Sequence, residues 1–238
     1  MFLLDFFKKK DFKKVLSLDG GGVRALAAVI FLKQLEKETG RSVFDTFDFF
    51  MGVSAGGLNA LHFTINKTSA EKLEDFWTND NLAMSMQKSF WGQAIFLNSK
   101  PKYNNESRTA LLRDYFENKL IAHSDKPVSV LAYDVEKRKP RLISSYDNSN
   151  ISVISAINAT SAAPLYYPTV KIEDGSWLID GGVVANNPSL IGYNEARNYF
   201  KTSKIKVFSI GTGINSKGLD GKSSAEWGPI GWLRNDIL

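Results

Sequence analysis

Two strand–turn–helix junctions, each built on glycine, constrain this chain more than any other feature. The first is Leu18-Asp19-Gly20-Gly21-Gly22-Val23-Arg24, between the apolar run Val15–Leu18 and a helical period over Val23–Glu38 that Gly40 stops. The second is Phe49-Phe50-Met51-Gly52-Val53-Ser54-Ala55-Gly56-Gly57-Leu58, between a strand over Phe47–Val53 and a helix from Ala55 to about Asn66. The same alternation continues downstream. Ser69–Thr78 and Ser107–Leu120 read as amphipathic helices, the latter turning Leu111, Leu112, Tyr115 and Phe116 toward a core. Val128–Tyr133, Arg141–Ser145, Trp177–Ile179 and Ile205–Ile210 read as strands, and Ile151–Ala159 and Ser189–Phe200 as helices. Strands alternating with helices predict the α/β class: a three-layer α/β/α sandwich with a mostly parallel central sheet.

The chain has 238 residues, which fits one such domain over 15–238 behind a lead-in over 1–14. In the lead-in, Phe2, Leu3, Phe6, Phe7 and Phe12 stand beside Lys8–Lys10, Lys13 and Lys14. This reads as solvated lysines ahead of a strand, with a foot on an anionic membrane surface as the alternative. The net charge of +5 brings no recognised nucleic-acid motif with it, so nucleic acid is not an expected partner. No apolar run is long enough for a membrane span and no export signal is recognisable, so the chain reads as cytoplasmic. Met84–Leu97 is densely apolar and reads either as a buried helix pair or as a cover over an apolar site. Trp227–Trp232 is apolar too, and suggests further packing elements beyond the end of the chain.

Gly-x-Ser-x-Gly between a strand and a helix forces Ser54 onto a strained, exposed corner, where it can act as a nucleophile. The helix that starts at Ala55 points free N–H groups and its positive end toward the Ser54 oxygen. Gly20, Gly21 and Gly22 let successive amides turn toward one point, an anion-binding nest that fits the oxyanion of acyl transfer. Arg24 is placed to brace that loop or to attract an acidic head group. Gly20-x-Gly22-x-x-Ala25 also fits a dinucleotide-binding turn. That pattern wants an acidic residue at the end of the second strand, and Asp45 lies ahead of it.

The partner of Ser54 is harder to read. Cysteine is absent, which excludes a Cys nucleophile and thiolate metal sites, and there are two histidines. His62 lies about 12 Å along the helix that Ser54 begins, at 1.5 Å rise per residue. His123 precedes the strand at Val128 and belongs to the opposite sheet edge. Three aspartates follow predicted strands and should share the edge of Ser54: Asp19, Asp134 and Asp180. Spacing does not choose among them.

Taken together, Asp19-Gly20-Gly21-Gly22-Val23-Arg24, Gly52-Val53-Ser54-Ala55-Gly56, Ala159-Thr160-Ser161-Ala162-Ala163-Pro164 and Asp180-Gly181-Gly182 resemble the patatin-like phospholipase family. Ser209-Ile210-Gly211-Thr212-Gly213 also resembles that family's late strand. The resemblance implies a Ser–Asp dyad of Ser54 and Asp180, with Gly20, Gly21, Gly22 and Ala55 around the oxyanion. It implies hydrolysis of phospholipid or other acyl-ester lipids, as a carboxylic ester hydrolase without metal or organic cofactor. Acyl transfer through the same acyl-enzyme, or an idle lipid-binding module, are the alternatives. Ala25 departs from the glycine more frequent there in the family, which removes no donor.

Overall fold

The computed structural model describes residues 11–88, 100–147, 150–213 and 218–227. The basic lead-in before Asp11, most of the apolar stretch Met84–Leu97 and the end of the chain past Trp227 lie outside them. Among the described residues, seven strands form one sheet: β1 (Lys13–Leu18), β2 (Phe49–Val53), β3 (Val128–Asp134), β4 (Lys139–Ser144), β5 (Val170–Lys171), β6 (Trp177–Asp180) and β7 (Ile205–Ile210). Its centre is parallel, β7-β1-β2-β3, with Leu16 level with Phe50 and Phe208. The long helices are α1 (Leu26–Thr39), α2 (Ala55–Ile65), α3 (Glu106–Phe116), α4 (Val153–Thr160) and α5 (Ser189–Phe200).

The central strands read as unbroken apolar runs because both of their faces are covered, as parallel sheets require. Val15, Phe49, Met51, Val53 and Leu131 pack on one face with Ala196 of α5. Their neighbours Leu16, Leu18, Phe50, Val128 and Val130 pack on the other with α1, α2, α3 and α4. All eleven residues of α2 are buried. It can lie so close because Gly52 has no Cβ: one there would stand 2.5 Å from the Gly56 carbonyl oxygen. This is the three-layer α/β/α architecture expected from the alternation. Among the described residues, no helix is long and apolar enough to cross a membrane.

The far end of the sheet is antiparallel, and this positions the site. One edge of β3 is shared by two strands. Its first half pairs in parallel with β2, from Phe50 opposite Val128 to Val53 opposite Leu131. Its second half pairs in antiparallel with β6, from Asp180 opposite Ala132 to Leu178 opposite Asp134. The ends of β2 and β6 therefore meet head to head at Leu131–Ala132, while β4 covers the other edge of β3. An aspartate that follows a strand shares the edge of Ser54 by direction alone only where the two strands run parallel. The strand that carries Asp180 runs the opposite way, and Asp180 comes close by ending against the end of β2.

Candidate active site

Ser54 is the first residue after β2 and has φ 55° and ψ −129°. A side chain held in this part of the map costs about 1–3 kcal/mol, and such strain persists only where the surroundings enforce it. Three residues enforce it here. The Ser54 amide donates to Thr160 Oγ1 at 3.0 Å, and its carbonyl accepts from the amides of Gly57 and Leu58 at 2.9 and 3.2 Å. Ser54 Oγ is left to donate to Asp180 Oδ2 at 2.7 Å.

Asp180 is buried, and its other oxygen accepts from the Gly182 amide at 2.6 Å. Gly181 allows this close turn, because a Cβ there would overlap the Leu131 carbonyl. Burial raises the Asp180 carboxyl above its ordinary value. The hydrogen bonds from Gly182 and Ser54 and the nearby Arg108 charge pull it part of the way back.

The other candidates for partnership with Ser54 are engaged elsewhere. Asp134 caps the β3–β4 hairpin, accepting from the Glu136 and Lys137 amides at 3.1 and 2.8 Å and from Lys137 Nζ at 3.1 Å. Asp19 accepts from Asn187 Nδ2 at 3.1 Å, and burial raises its carboxyl. His62 is buried among Phe116, Phe76 and Tyr115, and desolvation pushes its imidazole down to about 3. His123 sits in the short turn Ile121–His123, where Nδ1 accepts from the Leu120 amide at 3.2 Å. Asp45 lies before β2 in a short helical turn, bonded to Ser42. It is thus at the opposite sheet edge from the glycine loop, where the dinucleotide pattern has no use for it.

The glycine loop is braced at its first residue. The Gly20 amide donates to the Asn186 carbonyl at 3.0 Å, and its carbonyl accepts from Asn186 Nδ2 at 3.2 Å and Thr212 Oγ1 at 2.9 Å. Gly20 was expected to contribute an oxyanion donor, but its N–H is spent on Asn186. A Cβ on Gly20 would stand 3.3 Å from Ser54 Cβ, so the loop passes directly beside the serine. Among the described residues, the amides of Gly21, Gly22 and Ala55 donate to no protein acceptor. Gly22 has φ 55°, and open space surrounds the position of its absent Cβ. The Arg24 side chain is exposed and forms no ion pair among the described residues. No group of three or more His, Asp or Glu side chains there gathers as a metal site requires.

Four residues of this neighbourhood carried no assigned role in the sequence. Thr160 and Thr212 lie inside matching blocks, and Asn186 lies in a polar turn that gives no sign of long-range bonds. Arg108 did leave a signal: it falls three and four residues before Leu111 and Leu112, on the apolar stripe of α3, where an arginine is out of place.

A serine held on a strand–helix turn over a three-layer α/β/α core is the nucleophile arrangement of serine hydrolases of the α/β class, although here its hydroxyl bonds to a carboxylate in place of a histidine. Within it the chain belongs to the patatin-like phospholipase family, whose model matches residues 16–191. It is 29% identical to Patatin-like protein 4 of Arabidopsis thaliana over 93% of this chain and 65% of that one. To the cGAMP-activated phospholipase of Vibrio cholerae it is 28% identical, over 90% of this chain and 69% of that protein. The chain thus spans about two thirds of the length of these relatives. The crystal structure of VipD from Legionella pneumophila shares the fold, with a TM-score of 0.51 at 13% identity over 91% of this chain and 52% of that one.

Proposed function

We propose that this protein hydrolyses fatty-acyl esters of lipids, with Ser54 as nucleophile and Asp180 as general base. The observation that carries the reading is the 2.7 Å hydrogen bond from Ser54 Oγ to a buried carboxylate. As Oγ attacks the acyl carbon, its proton passes to Asp180 Oδ2 and the carbonyl oxygen becomes an oxyanion. The amides of Gly21, Gly22 and Ala55 are the donors available to hold it, each worth about 2.7–4 kcal/mol of barrier when well placed. Collapse expels the alcohol, which takes the proton from Asp180. Water then gives a proton to Asp180 and attacks the acyl-serine; collapse frees the fatty acid, and Ser54 Oγ takes the proton back from Asp180. Burial makes Asp180 a stronger base than a free aspartate. Turnover should therefore fall, as pH drops, above the ordinary carboxylate range. A fluorophosphonate should label Ser54 and yield one modified peptide by mass spectrometry. Labelling that persists in Ser54→Ala would refute the assignment.

Family membership supports a lipid substrate, and the mouth of the site supports peripheral contact with an anionic membrane. Val23 directly follows Gly22, Val183 lies three residues past Asp180, and Leu165 three residues past Ala162, which accepts the Asp180 amide at 3.0 Å. These side chains are 46, 53 and 62% exposed. The segments that carry them, 20–25, 161–168 and 181–188, contain Arg24 and no carboxylate. Lys102 adds a second cation, its Nζ 5.5 Å from the Tyr166 ring centre. Apolar side chains among cations suit an anionic lipid surface. Leu165→Asp with Val183→Asp is expected to lower hydrolysis of anionic vesicles about tenfold to a hundredfold, from the lost burial of two apolar side chains. Turnover of a soluble short-chain ester should stay near wild type; equal loss on both substrates would refute the membrane contact.

A further inference from the structure

Arg108, on α3, is buried, and no carboxylate pairs with it among the described residues. Its guanidinium carbon lies 3.9 Å from the Tyr167 ring centre. Nη1 donates to the Ser161 carbonyl at 3.2 Å and to Ser161 Oγ at 3.3 Å. Nη2 donates to Asn105 Oδ1 at 2.9 Å and to the Asn158 carbonyl at 3.4 Å. Two of these acceptors are carbonyls at the C-terminal end of α4, where a helix presents unpaired acceptors and partial negative charge. Among the described residues, Nε alone of its nitrogens has no partner.

The residue that Arg108 grips is the middle one of three. Thr160, just before Ser161, accepts from the Ser54 amide through Oγ1 and donates its hydroxyl hydrogen bond to the Leu131 carbonyl. Ala162, just after it, accepts the Asp180 amide at 3.0 Å. Consecutive residues thus hold Ser54, Arg108 and Asp180. We propose that Arg108 is a positioning residue: by pinning Ser161 it fixes the Thr160–Ala162 segment, which sets the spacing of Ser54 and Asp180.

The charge of Arg108 has a second effect. The groups that face Asp180 are the Ser54 hydroxyl from the β2–α2 turn, the Gly182 amide from its own turn and the Arg108 cation from α3. Asp134 on β3 is turned into its hairpin, and Asp19 toward Asn187. Arg108 is the charged group among these three, and its charge adds to the Gly182 and Ser54 hydrogen bonds in opposing the effect of burial. Losing it raises the Asp180 carboxyl further, so the acid limb of the rate moves to higher pH.

This inference rests on the proposed roles of Ser54 and Asp180. The test uses the full chain with Arg108→Met and Arg108→Lys, a soluble short-chain ester, and a count of live sites by fluorophosphonate titration. Per titrated site, both variants are expected to lose kcat with little change in KM, by about tenfold to a hundredfold for Met. The acid limb of kcat/KM should move to higher pH in Arg108→Met and stay in place in Arg108→Lys, which keeps the charge. Wild-type kcat per titrated site in either variant would overturn the positioning role, and Arg108→Lys alone decides it if Arg108→Met does not fold. A limb that stays in place in Arg108→Met, or moves equally in both, would overturn the charge effect. Ser54→Ala measured alongside separates the two levels: if it still turns over ester, the hydrolase reading falls first.

Discussion

Ser54→Ala and Asp180→Asn are each expected to lower ester turnover per folded molecule by roughly 10³-fold or more, since members of a catalytic unit fail together. The two losses should not add in the double variant, because either one alone removes the proton transfer. Stability should separate them from ordinary damage. Asn keeps the shape of Asp180 and can still accept from the Gly182 amide, but it carries no charge to bury. The folded carboxyl lies above its unfolded value, so ionised Asp180 weakens the fold at pH values above that raised point. Asp180→Asn should then melt at or above the wild-type temperature near neutral pH. The gain should fade as pH falls through the raised value toward the ordinary one. Initial rates on a soluble ester, with melting followed by circular dichroism, check both halves. A variant that melts normally and still turns over ester at the wild-type rate would remove Asp180 from the mechanism.

The second large effect is structural. Gly56→Ala is expected to destabilise the protein by about 2–4 kcal/mol and to abolish most turnover. A Cβ on Gly56 would stand 2.5 Å from the Asp19 carbonyl oxygen and overlap that of Leu18. Both are backbone atoms of the junction that leads into the glycine loop, and neither can rotate aside. Relief requires α2 to move off β1, which carries Ser54 away from the loop. Gly40→Ala is the control. That residue has φ 65° with open space around it, so it should lose only about 1 kcal/mol from backbone strain and keep its activity. Denaturant titrations of the two variants give the comparison. Equal destabilisation would mean that helix–strand contact at Gly56 is looser than the structure has it.

Much of this could be read from the chain because it is local. Ser189–Phe200 and Ile205–Ile210 fall where the apolar period and Pro188 put them, and Gly40 ends α1 in the left-handed conformation. The strained turn at Ser54 follows from a strand, a serine between glycines and a helix in immediate succession. Where the reading stopped, the cause was long-range pairing. Nothing in Trp177–Asp180 states the direction of its strand, and the two-residue strand Val170–Lys171 is too short to show a period. The helix expected over Ser69–Thr78 instead breaks at Asp75 into a tighter turn. Within the site, Gly20 illustrates the same limit. Three glycines in a row look alike in sequence, and only the arrival of Asn186 from far along the chain separates the first from the other two. Spacing likewise does not separate Asp180 from Asp19 and Asp134, and only the family resemblance does, because the meeting of β2 and β6 on β3 is a property of the finished sheet.

That meeting also governs when the molecule becomes able to act. Ser54 and Asp180 are 126 residues apart, and each is positioned by its strand's place on β3. During synthesis the ribosome delivers β1, β2 and β3 first, so the Ser54 turn can form on a parallel core while its base is still unmade. Pairings of such wide separation are slow to close. Under the proposed mechanism the nascent chain is chemically silent until β6 docks, and the capacity to cut lipid is acquired as a late event of folding.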